Sequence, residues 1–181
     1  MTQASVPRVL PQYIDARKVA QQGGELKGSV PVDALERLLQ TLTGYHNAIT
    51  VDLFLEFDDQ KRTTVTGSLE VDVELQCQRC LANTTYPVSI SVNVAIVSTE
   101  EQVKMLPRTI DPWLVTEANA DLYGLIEDEI LLALPMVAYH PEPCIDKSLY
   151  TSSDDNINSG CEEESENPFS VLEQLKGSPR K

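Results

Sequence analysis

The 181-residue chain lacks most of the patterns from which active sites and membrane segments are built. Its only two histidines, His46 and His140, lie in neither a Ser-His-Asp nor a H-E-x-x-H pattern, and Gly23-Gly24 lacks the Lys-Ser/Thr of a P-loop. No apolar run approaches the roughly 20 residues of a membrane span, and no charged segment followed by a long apolar run begins the chain. We therefore expect a cytoplasmic protein without membrane contact.

Basic residues are also scarce. The chain has 14 Lys and Arg against 28 Asp and Glu, which gives a formal net charge of −14. Such a charge repels phosphate backbones at long range, so direct, non-specific binding of nucleic acid is not expected. The same field attracts a basic protein, and ribosomal proteins are a plentiful basic class. The alternative is that the acidic surface serves solubility alone.

Four cysteines are present, and their spacing is uneven. Without a secretion signal, this usage argues for free thiols or a metal site rather than a disulfide framework. We therefore expect the protein to reside in a reducing compartment.

Three segments between residues 49 and 96 alternate strictly between apolar and polar residues. Period-two alternation is typical of strands with one buried face. The polar residues 58–61 between the first two are too few for the crossover of a parallel pair, so we predict an antiparallel meander with one wet face. The apolar sets are Ile49, Val51, Leu53, Leu55 and Phe57; then Val65, Leu69, Val71, Val73 and Leu75; then Val88, Ile90, Val92, Val94 and Ile96.

Helices are predicted on both sides of this meander. Asp15 can cap a short helix that ends near Gly23, and residues 32–43 carry leucines at helical spacing. Residues 112–115 can add a short strand, and Asp121 can cap a helix over residues 121–134 whose second half is apolar all round. We therefore expect this helix to be the most buried one. The prediction is an α+β core domain, residues 1–145, in which a few helices cover an antiparallel sheet.

The C-terminal part differs in composition. Residues 146–166 are rich in Asp, Glu, Ser and Asn, which predicts an acidic flexible linker. Residues 167–181 then form a helical motif and tail, because Asn167, Pro168 and Gly177 bracket one short helix. A helix this short needs a surface to bind. It either docks on its own domain or binds a partner through three apolar residues on one face: Phe169, Leu172 and Leu175.

Metal chemistry is predicted at the turn between the second and third strands, where Cys77 and Cys80 form a C-x-x-C motif. Such a turn supplies two of the four ligands of a tetrahedral zinc ion. The other two would be His140 and Cys144, or Cys144 and the distant Cys161. The alternatives are a metal-free pair of thiols or redox chemistry. A thioredoxin-like oxidoreductase needs a helix after the motif, whereas a strand is predicted here.

Two charged groups are candidates for further sites. Residues 127–129 are consecutive carboxylates, but consecutive helical residues point about 100° apart and cannot converge on one ion, so we expect the wet edge of a helix. Arg79, Lys61 and Arg62 lie in the turns of the meander and could contact RNA phosphates. Solvated turn residues are the alternative interpretation.

Three motifs together resemble one family. They are ELQCQRC at residues 74–80, DLYGLIEDEILLALP at residues 121–135 and NPFSVL at residues 167–172, and they span most of the chain. In this order and spacing they are similar to the YceD family, the large ribosomal RNA subunit accumulation proteins. Family members often carry further cysteines near the second pair, whereas this chain has only Cys144 and Cys161 there.

That resemblance implies a non-enzymatic ribosome biogenesis factor needed for accumulation or processing of 23S ribosomal RNA. The first hypothesis is that the acidic surface and the C-terminal stripe bind a basic large-subunit ribosomal protein or an assembly factor, with precursor RNA affected indirectly. The second is a zinc knuckle that recognises the precursor RNA directly, with Arg79 at phosphate. The third is thiol oxidoreductase chemistry at Cys77 and Cys80.

Overall fold

The computed structural model describes residues 8–117 and 119–146. The described residues up to Cys144 form one compact unit. The elements of the described residues, in chain order, are β1 (Tyr13–Ile14), α1 (Ala16–Gln21), β2 (Gly24–Val30), a 3-10 turn (Val32–Ala34), α2 (Glu36–Thr41), β3 (Gly44–Tyr45), β4 (Ile49–Phe57), β5 (Thr63–Gln76), β6 (Asn83–Val97), α3 (Glu100–Lys104), β7 (Asp111–Leu114), β8 (Ala120–Asp121) and α4 (Leu122–Ala133).

Six of these strands form one sheet within the described residues, in the order β2, β4, β5, β6, β7, with β3 paired to β5 beyond the end of β4. The predicted meander of β4, β5 and β6 is antiparallel, as expected from its short connections. β7 pairs parallel with β6 after a crossover that contains α3. The mixed α+β architecture predicted from the sequence is confirmed.

The buried face of the sheet follows the predicted alternation. In β5, Leu69, Val71 and Val73 point to the covered face and are buried. Gly67 occupies the same face with a φ of +148°, and a Cβ there would lie 2.0 Å from the Asp52 carbonyl oxygen of β4. A glycine is therefore required where the backbones of β4 and β5 approach most closely.

Three helices, α1, α2 and α4, cover this face. The N-cap residues of α1 and α4 cap these two helices with their own side chains. The Asp15 carboxylate accepts from the Lys18 N–H at the start of α1, and the Asp121 carboxylate accepts from the Gly124 N–H at the start of α4. α1 packs on β4, and α4 packs on β6 and against α2. The helix predicted over residues 32–43 is instead divided into the 3-10 turn and α2, because Leu35 between them has non-helical dihedral angles.

Two expectations for α4 are corrected. Its second half is not buried all round, since Leu132 is 81% exposed. Its carboxylates do not all face water either, because Glu127 is buried. α4 lies over β6 near the edge of the sheet, so its first two turns face the core while the side next to β7 stays open.

The sequence did not predict β2 or the small sheet of β1 and β8. β2 contains Gly24 and Gly28, which weaken the strand pattern in the sequence. Backbone pairing with β4 holds these residues in a strand. No helix among the described residues is long and apolar enough to cross a membrane. The predicted linker, residues 146–166, lies outside the described residues except for its first residue, and the C-terminal motif, residues 167–181, lies outside them entirely.

Candidate metal centre

The first half of the candidate site is the hairpin that joins β5 to β6. Cys77 follows β5 in the same alternation as Leu75, so its side chain points to the covered face and is 0% exposed. The Cys77 N–H donates to the Ala82 carbonyl, and the Leu81 N–H donates to the Cys77 carbonyl. Residues 77–81 form the turn of this hairpin, which we call the knuckle. Leu81 has a φ of +62°, a left-handed conformation that closes the knuckle before the chain enters β6.

The second half is the segment that follows α4, and several hydrogen bonds fix it against the hairpin. The Gln78 N–H donates to the Ala138 carbonyl at 2.9 Å. The Arg79 guanidinium donates to the carbonyls of His140 and Glu142 and lies over the Tyr139 ring, 5.2 Å from its centroid. These contacts hold the backbone that carries His140 and Cys144 beside the knuckle.

The two halves bring four donor atoms together, from Cys77, Cys80, His140 and Cys144, all within 4.8 Å of one another. The Cys77 and Cys144 sulfurs are 3.6 Å apart, and the Cys80 sulfur lies 3.4 Å from His140 Nδ1. Around a tetrahedral zinc ion these separations would be about 3.8 Å and about 3.6 Å. The donor set therefore fits zinc, and of the two ligand pairs left open by the sequence, His140 with Cys144 is the one that the described residues bring to the knuckle.

Hydrogen bonds within the protein orient the candidate metal ligands. His140 Nε2 is 3.1 Å from the Asn83 carbonyl oxygen, so it can donate there while Nδ1 faces the sulfurs. Burial alone would raise the pKa of Cys77, but the N–H groups of Cys80 and Arg79, together with His140, stabilise its thiolate and lower the pKa to about 5. Burial and the neighbouring Cys80 and Cys77 raise the pKa of Cys144 to about 11.

Four protein donors complete a tetrahedron and leave no position for a substrate or a reactive water. A zinc ion at this centre would tie the hairpin to the segment after α4, which are 60 residues apart at Cys80 and His140. The arrangement suits a structural site.

The other predicted site residues have separate positions. Arg79 belongs to the hairpin and donates to two backbone carbonyls, as described above. Arg62 pairs with Asp58 across the turn between β4 and β5 at 2.6 Å. The stripe of Phe169, Leu172 and Leu175 lies outside the described residues, as does Cys161, so the partner-binding prediction for this stripe remains a prediction.

An ion pair between the buried Glu127 of α4 and the exposed Arg37 of α2 was not predicted from the sequence. Glu127 Oε1 accepts from the backbone N–H groups of Arg37 at 2.8 Å and Leu38 at 3.0 Å, and Oε2 accepts from Arg37 Nε at 2.8 Å. Burial alone would raise the pKa of Glu127, but these donors lower it below its ordinary value. The only sequence signal is that Leu35, at the N-cap of α2, has no side chain that accepts a hydrogen bond.

The fold and the cluster define a class of protein, a small α+β sheet protein in which three cysteines and one histidine meet where the β5–β6 hairpin contacts the segment after α4. Comparisons with known proteins show which family within this class the chain resembles. The profile of the YceD family, described as large ribosomal RNA subunit accumulation protein YceD, matches residues 65–176. A Haemophilus influenzae protein described as large ribosomal RNA subunit accumulation protein YceD is 31% identical over 172 residues, which cover 92% of this chain and 96% of the relative.

The chain belongs to the YceD family. No solved structure matches it. The matched residues include the knuckle, α4 and the second half of the donor set, so the family profile covers all four candidate ligands.

Proposed function

We propose that the protein is a non-enzymatic ribosome biogenesis factor of the cytoplasm, needed for accumulation of 23S ribosomal RNA. The observation that carries this proposal is membership of the YceD family, with similarity over nearly the whole length of a relative described as a large ribosomal RNA subunit accumulation protein. The closed donor set supports the non-enzymatic part, since four protein ligands leave no open position for catalysis.

The proposed mechanism is binding of a basic protein, either a large-subunit ribosomal protein or an assembly factor. The net charge of −14 supports it, because complementary charge accelerates encounter with a basic partner and disfavours RNA. The solvent-facing side of the sheet adds carboxylates in rows, among them Glu56 of β4 and Glu70 of β5, which are both exposed. Ribosomal RNA would then be affected through the partner.

The C-terminal stripe of Phe169, Leu172 and Leu175 is proposed as a second contact with that partner. Its support is the sequence pattern alone, one short capped helix with an apolar face after an acidic segment. The stripe lies within the residues that the family profile matches.

A second candidate function is direct recognition of precursor RNA at the knuckle. The observation that favours it is the stack of Arg79 on Tyr139, whose ring is half exposed and could receive a base. Substitution Arg79→Lys retains the charge but not the two-carbonyl hydrogen bonds, so it separates phosphate contact from support of the loop. Under the RNA hypothesis, binding falls steeply with salt and with Arg79→Ala, and Arg79→Lys retains most of it.

Thiol chemistry is the third candidate. The observation that favours it is the approach of the Cys77 and Cys144 sulfurs to 3.6 Å, beside hydrogen bonds that lower the pKa of Cys77. The Cys77 sulfur, however, belongs to a fully buried residue, and exchange requires access to a partner disulfide. The oxidoreductase alternative predicts measurable disulfide turnover by the purified protein, whereas the structural role predicts none.

The proposed function is tested in cells that lack the protein. We expect the ratio of 23S to 16S ribosomal RNA to fall in these cells and to recover when the full chain is expressed. An unchanged ratio in cells without the protein would contradict the proposal.

A further inference from the structure

A groove of 800 Å³ runs between β7, at the edge of the sheet, and α4. Its apolar lining includes Trp113, Leu125 and Val94, which are buried. Leu114 of β7 and Leu132 of α4 also line it and are exposed. Exposed apolar side chains beside an apolar groove are typical of protein-binding surfaces.

The charge of the groove has one sign. Four carboxylates line it, from Asp111, Asp121, Asp128 and Glu129, and no Lys or Arg is among the lining residues in the described part of the chain. Asp121 caps α4 and Asp128 pairs with Arg37, but Asp111 and Glu129 have no cationic partner among the described residues. Burial and the nearby Asp111 and Asp128 raise the pKa of Glu129. A cation supplied by a partner would relieve this repulsion.

The outer side of β7 is open to backbone pairing. β7 pairs with β6 on one side, and no strand among the described residues pairs with its other side. The Val115 N–H donates to the Val97 carbonyl, so the alternation of the backbone points the polar groups of Pro112 and Leu114 outward. Pro112 has no N–H, and this edge therefore presents the Leu114 N–H and two carbonyls to an incoming strand.

We propose that this groove binds an extended segment of a protein partner, added as a strand along β7. The side chains that face the groove, at every second position of this segment, are in turn apolar and basic. The inference names the contact site of the basic partner and therefore rests on the proposed function. Backbone hydrogen bonds to β7 set the register, the apolar side chains pack over Trp113 and Leu125, and the long basic side chains reach Asp111 and Glu129.

The test uses the single tryptophan of the chain, Trp113, as an internal reporter in the groove. A short synthetic peptide with the repeat Lys-Ser-Val-Ser, which places lysine and valine on one face of a strand and contains no tryptophan, is titrated into the full-length protein while Trp113 emission is recorded. We expect a saturable change in emission that weakens with added salt. A peptide with the repeat Glu-Ser-Val-Ser should produce no change.

A matched pair of double variants locates the site. The groove variant Asp111→Asn with Glu129→Gln should weaken peptide binding by about tenfold, because it removes the two unpaired carboxylates. The control variant Glu56→Gln with Glu70→Gln removes the same number of charges from the solvent-facing side of the sheet and should change affinity by less than about twofold. Thermal denaturation should show both variants folded, since neither pair of carboxylates caps a helix or pairs with a cation in the described residues.

Three results would overturn the inference. They are an unchanged Trp113 emission, an equal loss of affinity in both double variants, and a gain of about tenfold or more when residues 167–181 are deleted. The last result would assign the groove to the C-terminus of the chain itself.

The same variants separate this inference from the proposed function. For this test, the tagged full-length protein and its groove variant are used to capture purified large-subunit ribosomal proteins. If wild-type protein and the groove variant capture the same basic proteins equally, the groove site is wrong and the proposed mechanism stands. If wild-type protein captures none of them, the basic-partner mechanism fails whatever the peptide does at the groove.

Discussion

Glu127 shows how one carboxylate joins two elements that are far apart in sequence. It is 7% exposed, it accepts from two N–H groups in the first turn of α2, and it pairs with the Arg37 guanidinium. We expect Glu127→Gln to lower the free energy of unfolding by about 1–3 kcal/mol, because the amide oxygen can still accept from the two backbone N–H groups but the amide NH₂ turns a donor toward the Arg37 guanidinium. Denaturant unfolding of the two proteins measures the difference.

Asp128 supplies a matched control, since its carboxylate pairs with the same Arg37 at 2.7 Å but its side chain is 59% exposed. Asp128→Asn should cost less than about 1 kcal/mol, as expected for an exposed ion pair. Equal losses in the two variants would contradict the assigned role of Glu127.

The same residue predicts a pH dependence. Because the pKa of Glu127 is lowered in the folded state, its stabilisation is fully present above the ordinary pKa of a glutamate and is lost as pH falls through the folded-state value. The stability difference between wild type and Glu127→Gln should therefore shrink in acid. A difference that stays constant from neutral pH to acid would argue against the buried carboxylate as its cause.

Leu81 carries a Cβ in a left-handed conformation, with a φ of +62°. That conformation costs about 1–2 kcal/mol for a residue with a side chain, part of which glycine recovers. Leu81→Gly should therefore raise the free energy of unfolding by about 0.5–1 kcal/mol, whereas Leu81→Ala, which keeps the Cβ, should not. A clear loss of stability in the glycine variant would show that the exposed leucine contributes a contact that outweighs the strain.

At the scale of elements, the periodic segments were predictable and the short ones were not. The alternation over residues 49–96 predicted β4, β5 and β6, and Asp15 and Asp121 marked the starts of α1 and α4. β2 was missed because its two glycines hide the alternation, and its order depends on pairing with β4. Pairing of this kind is a tertiary effect that propensity alone does not contain.

The knuckle and the segment after α4 form one unit in our account, held by the four candidate ligands. We expect purified protein to contain about one zinc ion per chain and Cys77→Ser to lose it, with a loss of roughly 2–4 kcal/mol in stability, because three remaining donors cannot complete the site. Metal analysis by mass spectrometry and thermal denaturation measure the two quantities.

Cys161 provides the control for that variant, because it is a cysteine outside the candidate donor set. Cys161→Ser should retain both the zinc content and the stability of wild type. Wild-type protein that contains no zinc, together with a Cys77→Ser variant of unchanged stability, would remove the metal site.

At the scale of the whole molecule, the sequence predicted the ligand types but could not choose the ligand set. Cys77 and Cys80 follow from their spacing, whereas His140, Cys144 and Cys161 were all open as partners until the topology brought residues 138–144 beside the hairpin. The groove along β7 was also beyond the sequence, since Asp111 and Glu129 meet only because α4 lies beside the edge strand.

The C-terminal motif is tested by deletion of residues 167–181, which removes the stripe of Phe169, Leu172 and Leu175. We expect the shortened protein to capture less of the basic partner, because the stripe is proposed as a second contact. A chain of full length with all three residues changed to serine separates the stripe from the length of the tail. Unchanged capture in both proteins would refute the role of the stripe.

The most direct test of the central claim, that the acidic protein binds a basic protein partner of the large subunit, is affinity capture of the tagged full-length chain from growing cells, with and without RNase. The account predicts that large-subunit ribosomal proteins or assembly factors remain bound after RNase treatment. If only 23S precursor RNA is recovered and everything is lost after RNase, the claim is contradicted, and direct RNA contact at the knuckle with Arg79 takes its place.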